Sequence, residues 1–280
     1  MDKVVIERFK SFSVADTLEC GQCFNFEKLG DNFYKLIAFE KILYIRENEK
    51  EIEFFPTTEL EFENIWKKYF DLHRNYDEMK EILSKDNILH KAILEGEGIH
   101  ILNQDHFECL ISFIISQNNR IPMIKKVVSN LSEKFGENIG EGYAFPTVEA
   151  FYKAEMEELR ACKTGFRDKY IKDCCNKIYN NEIDLYKLES LENNKIMDSL
   201  MEIKGVGTKV ANCVLLFSYG RGESFPVDVW IKRAMEYFYF NGEEKSKDYI
   251  QKYGEEKFGE LSGIAQQYIF NYAIKTNLKI

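Results

Sequence analysis

An α+β protein is predicted, with an antiparallel sheet domain over residues 1–104 and a mostly helical domain over 105–280. Three observations lead there. Residues 1–56 hold short runs of alternating apolar and polar residues with turn residues between them. From 105 onward apolar residues recur at helical spacing in one segment after another. Near the end of that series Gly205-Val206-Gly207 separates two helical segments, which predicts a helix-hairpin-helix unit.

In chain order, the strands fall at Phe24 to Glu27, Phe33 to Ala38, Ile42 to Arg46 and Ile52 to Phe55. Leu29-Gly30-Asp31-Asn32 and Glu47-Asn48-Glu49-Lys50 supply turns. Thr58 with Glu61 makes a capping box, and Phe62, Ile65, Trp66 and Tyr69 stripe the helix it starts. Short helices follow near 76–84 and 87–95, and Gly96-Glu97-Gly98 breaks the chain before the domain boundary. Residues 107–117 are apolar nearly all round and predict a central buried helix. Further helices are predicted over 121–135, 147–162, 168–178, 196–203, 209–218, 229–240, 246–258 and 263–274.

A chain of 280 residues with 45% hydrophobic and 14% aromatic content is globular and can bury a sizeable core. It holds no apolar run of ~18 residues, so no membrane span is expected. The N-terminus lacks the apolar region of a secretory signal, so a cytoplasmic or nucleoid location is expected. Seven irregularly spaced cysteines fit reduced thiols. Cys20 and Cys23 form one isolated CxxC, and the four histidines lack metal-ligand spacing, so no metal site is assigned. The net charge of −9 argues against indiscriminate nucleic-acid binding. Residues 160–172 nevertheless carry Arg160, Lys163, Arg167, Lys169 and Lys172 against Asp168, a local face that suits a phosphate backbone.

Chemistry concentrates around the hairpin. Gly205, Gly207 and the new helix N-terminus at Thr208, expected as its N-cap, leave backbone N–H groups for a phosphate oxygen. Lys209 falls in the first turn of that helix. The positive end of a helix dipole disfavours an ammonium there, so the side chain suits a neutral, nucleophilic amine. Cys213 and Phe217 follow at i+4 and i+8 on the same face. Nineteen residues after Lys209, Asp228 in Phe225-Pro226-Val227-Asp228-Val229-Trp230 is placed to cap the next helix.

The GVGTKVA…PVDV pattern, with lysine and aspartate at this spacing, resembles the helix-hairpin-helix DNA glycosylases that are also lyases, and within them the 8-oxoguanine DNA glycosylase branch. The resemblance spans residues 18 to 270. It implies a bifunctional glycosylase and abasic-site lyase that excises 8-oxoguanine from duplex DNA, in which Lys209 attacks C1′ and forms a Schiff base while Asp228 stabilises charge on the sugar. It implies no cofactor, a monomer, and double-stranded DNA containing 8-oxoguanine as partner. The alternative readings are a glycosylase for another lesion and a non-catalytic DNA-binding protein.

The same resemblance assigns further residues. Cys20-Gly21-Gln22-Cys23-Phe24 matches the segment whose glycine carbonyl accepts from N7–H of the oxidised base, so Gly21 would discriminate it from guanine. Gln266 would bond the Watson–Crick edge, and Phe270 would stack on the base opposite Cys213, beside Phe217 and Pro226. On the DNA side, Asn118 would fill the gap left by the flipped base, Phe166 would wedge between bases, and Arg167 would reach the opposite base or a phosphate. Gly205, Gly207, Val210 and Trp230 complete the DNA face, with Trp230 standing where many relatives have histidine. Met123 stands where the family typically has the arginine that reads an opposite cytosine. Methionine donates no hydrogen bond, so relaxed opposite-base selectivity is expected.

Overall fold

A computed structural model describes residues 2–276, and among them five strands form one antiparallel sheet of order β1-β5-β4-β3-β2. The strands are β1 (Val4–Glu7), β2 (Phe26–Gly30), β3 (Phe33–Ala38), β4 (Lys41–Glu47) and β5 (Glu51–Phe55), with helix α1 (Val14–Glu19) between the first two. Alternation does the work the sequence suggests. In β3, Tyr34, Leu36 and Ala38 face inward, and Leu43 and Ile45 of β4 and Ile52 and Phe54 of β5 meet them. The inner face packs on Trp66 and Phe70, next to the helical stretch 59–69. The capping box of Thr58 and Glu61 starts that stretch at α2 (Glu59–Glu61), and a π-turn over Phe62–Trp66 joins it to α3 (Lys67–Tyr69).

Two elements here were not anticipated. Strand β1 pairs with β5 in the register Val4↔Phe54, and its edge position leaves only four residues of alternation to read. Helix α1 begins at Ser13, whose hydroxyl accepts from the Asp16 N–H. Buried Glu47 of β4 accepts from the Val14 N–H at 3.0 Å and pairs with Arg8, tying this helix start to the sheet. The helix then delivers Cys20 and Gly21 to the seam between sheet and helices.

The helical part comprises α4 (Tyr76–Leu83), α5 (Asn87–Leu94), α6 (His106–Ser116), α7 (Ile121–Phe135), α8 (Val148–Lys153), α9 (Met156–Ala161), α10 (Asp168–Tyr179), α11 (Leu185–Leu188), α12 (Asn193–Met201), α13 (Thr208–Phe217), α14 (Val229–Tyr239), α15 (Lys247–Phe258) and α16 (Ser262–Lys275). Buried α6 and α13 pack against each other at the centre, and α16 closes one side against α5 and α14. Residues N-terminal to 105 serve both cores. The helices α4 and α5, expected with the sheet, place Tyr76, Leu83, Leu89 and Ile93 in the helical core.

The single helix expected over 147–162 is two. Ala154 takes an extended ψ of 139°, and Glu155 begins α9 with its own capping box to Glu158. At the hairpin, Thr208 is the first helical residue, and the N-cap is Gly207 at φ −106°, ψ −177°. Without a capping side chain, the first N–H groups of α13 remain open to an outside acceptor.

Candidate active site

The hairpin between α12 and α13 sets the position of Lys209. Gly205 takes φ +81°, and a Cβ there would lie 2.4 Å from the Tyr170 ring, so the turn needs glycine for both conformation and space. Four residues on, Lys209 leaves the first turn of α13 and enters a cavity of ≈ 470 Å³ where α6, α13, α14 and α16 meet the Gly21 turn. Its Nζ donates to Ser116 Oγ at 3.2 Å and sits 5.0 Å from the centroid of the Phe113 ring. That ring is stacked on Phe217 (5.4 Å, 13°) and edge-on to Phe24 (5.8 Å), which fixes the floor under the amine.

Asp228 lines the same cavity. As the N-cap of α14 it accepts the Ile231 N–H at 2.7 Å through one carboxylate oxygen. Buried Cys213 lies one turn along from Lys209, its thiol pushed up to about 11 by desolvation and drawn back by the lysine. It is therefore a neutral, compact wall.

Gly21 lines the same cavity with φ +84°, and a Cβ on it would meet Ile121 at 3.1 Å and Phe270 at 3.2 Å. The Cys20–Gln22 turn is held from three sides. Gln267 Nε2 donates to the Cys20 carbonyl at 2.7 Å and Gln104 Nε2 to the Gln22 carbonyl at 2.8 Å. Gln22 Nε2 donates to the carbonyls of Thr17 and His100. Gln266 also lines the cavity, 5% exposed, and its buried Oε1 has no hydrogen-bond partner among the described residues. An acceptor buried without a partner costs roughly 1–3 kcal/mol, which a ligand N–H would recover. Polar edges thus share an apolar slot with Phe270 and Pro226, and an amine and a carboxylate also line it. That arrangement suits a flat heterocycle attached to a sugar.

Two family descriptions match the chain: residues 4–110 match the 8-oxoguanine DNA glycosylase N-terminal domain, and residues 111–260 the HhH-GPD superfamily base excision DNA repair proteins. The chain belongs to this superfamily. A crystal structure of the Clostridium acetobutylicum 8-oxoguanine glycosylase/lyase with double-stranded DNA containing cytosine opposite 8-oxoG is similar at TM-score 0.95 and 44% identity, covering 99% of this chain and 97% of that one. The apo form of the C. acetobutylicum enzyme gives TM-score 0.91, also at 44% identity, over 97% of this chain and 96% of that one. A probable N-glycosylase/DNA lyase of Methanothermobacter thermautotrophicus is 27% identical over 75% of this chain and 74% of its own length.

On the superfamily's helix-hairpin-helix side, a shallower groove of ≈ 680 Å³ adjoins the cavity and shares Lys209 and Asp228 with it. Its rim carries Asn118, Met123, Gly207, Trp230 and Lys247. Asn118 is exposed at φ +48° in the turn after α6. Met123, Phe166 and Trp230 are 45%, 49% and 43% exposed, so their apolar side chains are available to a ligand at the surface. Val210 is buried, so only its backbone is available to a phosphate. Arg167, expected to reach the opposite base or a phosphate, is instead 7% exposed. It donates to the Gln117 carbonyl, to the Asn118 carbonyl at 3.0 Å and to the Thr164 carbonyl at 3.1 Å. Three backbone acceptors outcompete solvent for the five N–H donors.

Sequence reasoning missed Ser116, Phe113 and Phe24 as cavity residues. Their signal was the i, i+3 spacing of Phe113 and Ser116 at the end of a helix otherwise buried all round. Among the described residues no group of three His, Cys, Asp or Glu side chains is arranged for a metal, and no helix is long and apolar enough to cross a membrane.

Proposed function

We propose that this chain excises 8-oxoguanine from duplex DNA and then cleaves the abasic strand, with Lys209 as nucleophile and Asp228 as its electrostatic partner. The observation that carries the reading is the convergence on one cavity of the Lys209 amine, the Asp228 carboxylate and the unpaired Gln266 acceptor. A base inside the duplex cannot reach that cavity, so the damaged nucleotide is rotated out of the stack, with Asn118 and Phe166 occupying the space it leaves. Gln266 and the Gly21 carbonyl bond the edges of the base, and Phe270 packs on its face.

Lys209 Nζ attacks C1′, and the base leaves with the electron pair of the glycosidic bond and takes up a proton. Asp228 opposes the positive charge that grows on the sugar as that bond breaks. Ring opening transfers the electron pair of the C1′–O4′ bond to O4′, which is protonated, and leaves an iminium on Nζ. Loss of a C2′ proton then drives the electron pair into a C2′–C3′ double bond and expels the 3′ phosphate. The product stays bound as a Schiff base until water attacks C1′ and frees the amine.

Borohydride trapping on an 8-oxoguanine duplex tests the assignment. A covalent adduct is expected with the native chain and none with Lys209→Gln; an unchanged adduct in the variant would remove Lys209 from the reaction. The exposed Met123 thioether offers no donor to an opposite cytosine. Excision rates opposite C, A, G and T are therefore expected within about tenfold of one another, since a missing bidentate base contact forgoes ~1–3 kcal/mol of discrimination. A hundredfold preference for cytosine would contradict this.

A further inference from the structure

We propose that Ser116 is a positioning residue for the nucleophile, holding the Lys209 amine with its lone pair toward the cavity; the inference rests on the lyase reading above. Ser116 is the last residue of α6, and its Oγ donates to the Phe113 carbonyl at 2.7 Å. A hydroxyl has one proton, so with that proton committed the oxygen can only accept from Lys209. The 3.2 Å contact therefore directs one N–H of the amine at Ser116. The Phe113 ring, 5.0 Å below Nζ, blocks approach from that side, and the protonated Cys213 thiol stands beside it. A neutral amine has two N–H bonds and one lone pair. With one N–H fixed on Ser116 and the Cys213 sulfur near enough to take the second, the lone pair is left for the cavity that Asp228 also lines.

The placement of Ser116 is itself secured by the turn that follows. Arg167 grips the carbonyls of Gln117 and Asn118, and its guanidinium lies 4.5 Å from the centroid of the Phe166 ring. One run of contacts thus passes from the exposed wedge through Arg167 and the residue 117–118 turn to Ser116 and Lys209.

The experiment compares single-turnover excision of 8-oxoguanine, borohydride trapping on a preformed abasic duplex, and duplex affinity, for the native chain and for Ser116→Ala, Ser116→Cys and Ser116→Thr. Ser116→Ala and Ser116→Cys, which remove or weaken the acceptor, are expected to slow both chemical readouts by about tenfold or more with Kd unchanged. Ser116→Thr, which keeps it, is expected to restore most of the rate. Ser116→Cys carries the test should Ser116→Ala not fold, because it fills the same space. Native-like rates in Ser116→Ala or Ser116→Cys, equal losses in the Cys and Thr variants, or a loss confined to Kd would each overturn the proposal. Absence of any adduct with the native chain would instead defeat the lyase reading.

Discussion

At Gly21 one backbone angle offers a way to test base recognition apart from the chemistry at the sugar. Its φ of +84° is open to glycine at no cost, and an added Cβ would press on Ile121 and Phe270, which line the Lys209 cavity. Gly21→Ala is expected to lose about 1–2 kcal/mol of stability from the left-handed backbone. It should also push Phe270 into the space a base would fill. Excision of 8-oxoguanine should then fall much further than trapping on a preformed abasic site, which has no base to accommodate. Equal losses in the two assays would show that Gly21 does not touch recognition. The residue types at this scale were legible in the sequence, because glycine, glutamine and phenylalanine at matched spacing carry the resemblance. Orientation was not. Arg167 reads as a DNA contact from its basic neighbours, yet it is drawn inward by carbonyls 49 and 50 residues away, an interaction no local pattern encodes. Ser116 was hidden for the same reason, since its partner Lys209 lies 93 residues on.

At the scale of the element, Asp228 has two tasks that substitution can separate. As N-cap of α14 it accepts the Ile231 N–H, and as a carboxylate it faces the Lys209 cavity. Asparagine caps helices about as well as aspartate, so Asp228→Asn should change stability by less than about 0.5 kcal/mol, whereas Asp228→Ala should cost ~1 kcal/mol. Both remove the charge, and both should slow excision by about a hundredfold or more if the carboxylate stabilises the developing cation. Denaturant midpoints read beside single-turnover rates check this; an active Asp228→Asn would reduce the residue to a cap. Helices with long periodic stripes, such as α7 and α14, were readable to within a residue or two of their ends. Short elements were not. The break at Ala154 lies inside an unbroken apolar period and is set by the capping box of Glu155 with Glu158. Strand β1 is defined by its pairing to β5 rather than by its own four residues.

Across the whole molecule, the sheet core and the helical core are joined at His100, a residue without any catalytic reading. Its ring stacks on Tyr76 of the helical core at 3.6 Å and lies 4.9 Å from Phe12 of the sheet core, with Nδ1 3.0 Å from the Phe70 carbonyl. Its backbone holds the Cys20–Gln22 turn as well, since the His100 carbonyl accepts from Gln22 beside Gly21. Burial drives the imidazole pKa down to about 3, against 6.5 when exposed. The unfolded chain therefore takes up a proton below pH 6.5 that the folded chain refuses until near pH 3, so this stability is present above pH 6.5 and is lost as pH falls toward 3. Buried His106, also shifted down by desolvation, adds a contribution of the same sign. Between pH 7 and pH 5 the His100 term alone amounts to about 2 kcal/mol. His100→Phe keeps a ring in the stack and cannot titrate. It should lower stability at pH 7 by roughly 1–2 kcal/mol, because the Phe70 carbonyl loses its donor. It should also flatten the fall between pH 7 and pH 5 by about 2 kcal/mol. Urea unfolding of both proteins at the two pH values measures this, and parallel losses would mean that the acid sensitivity of the joint resides elsewhere.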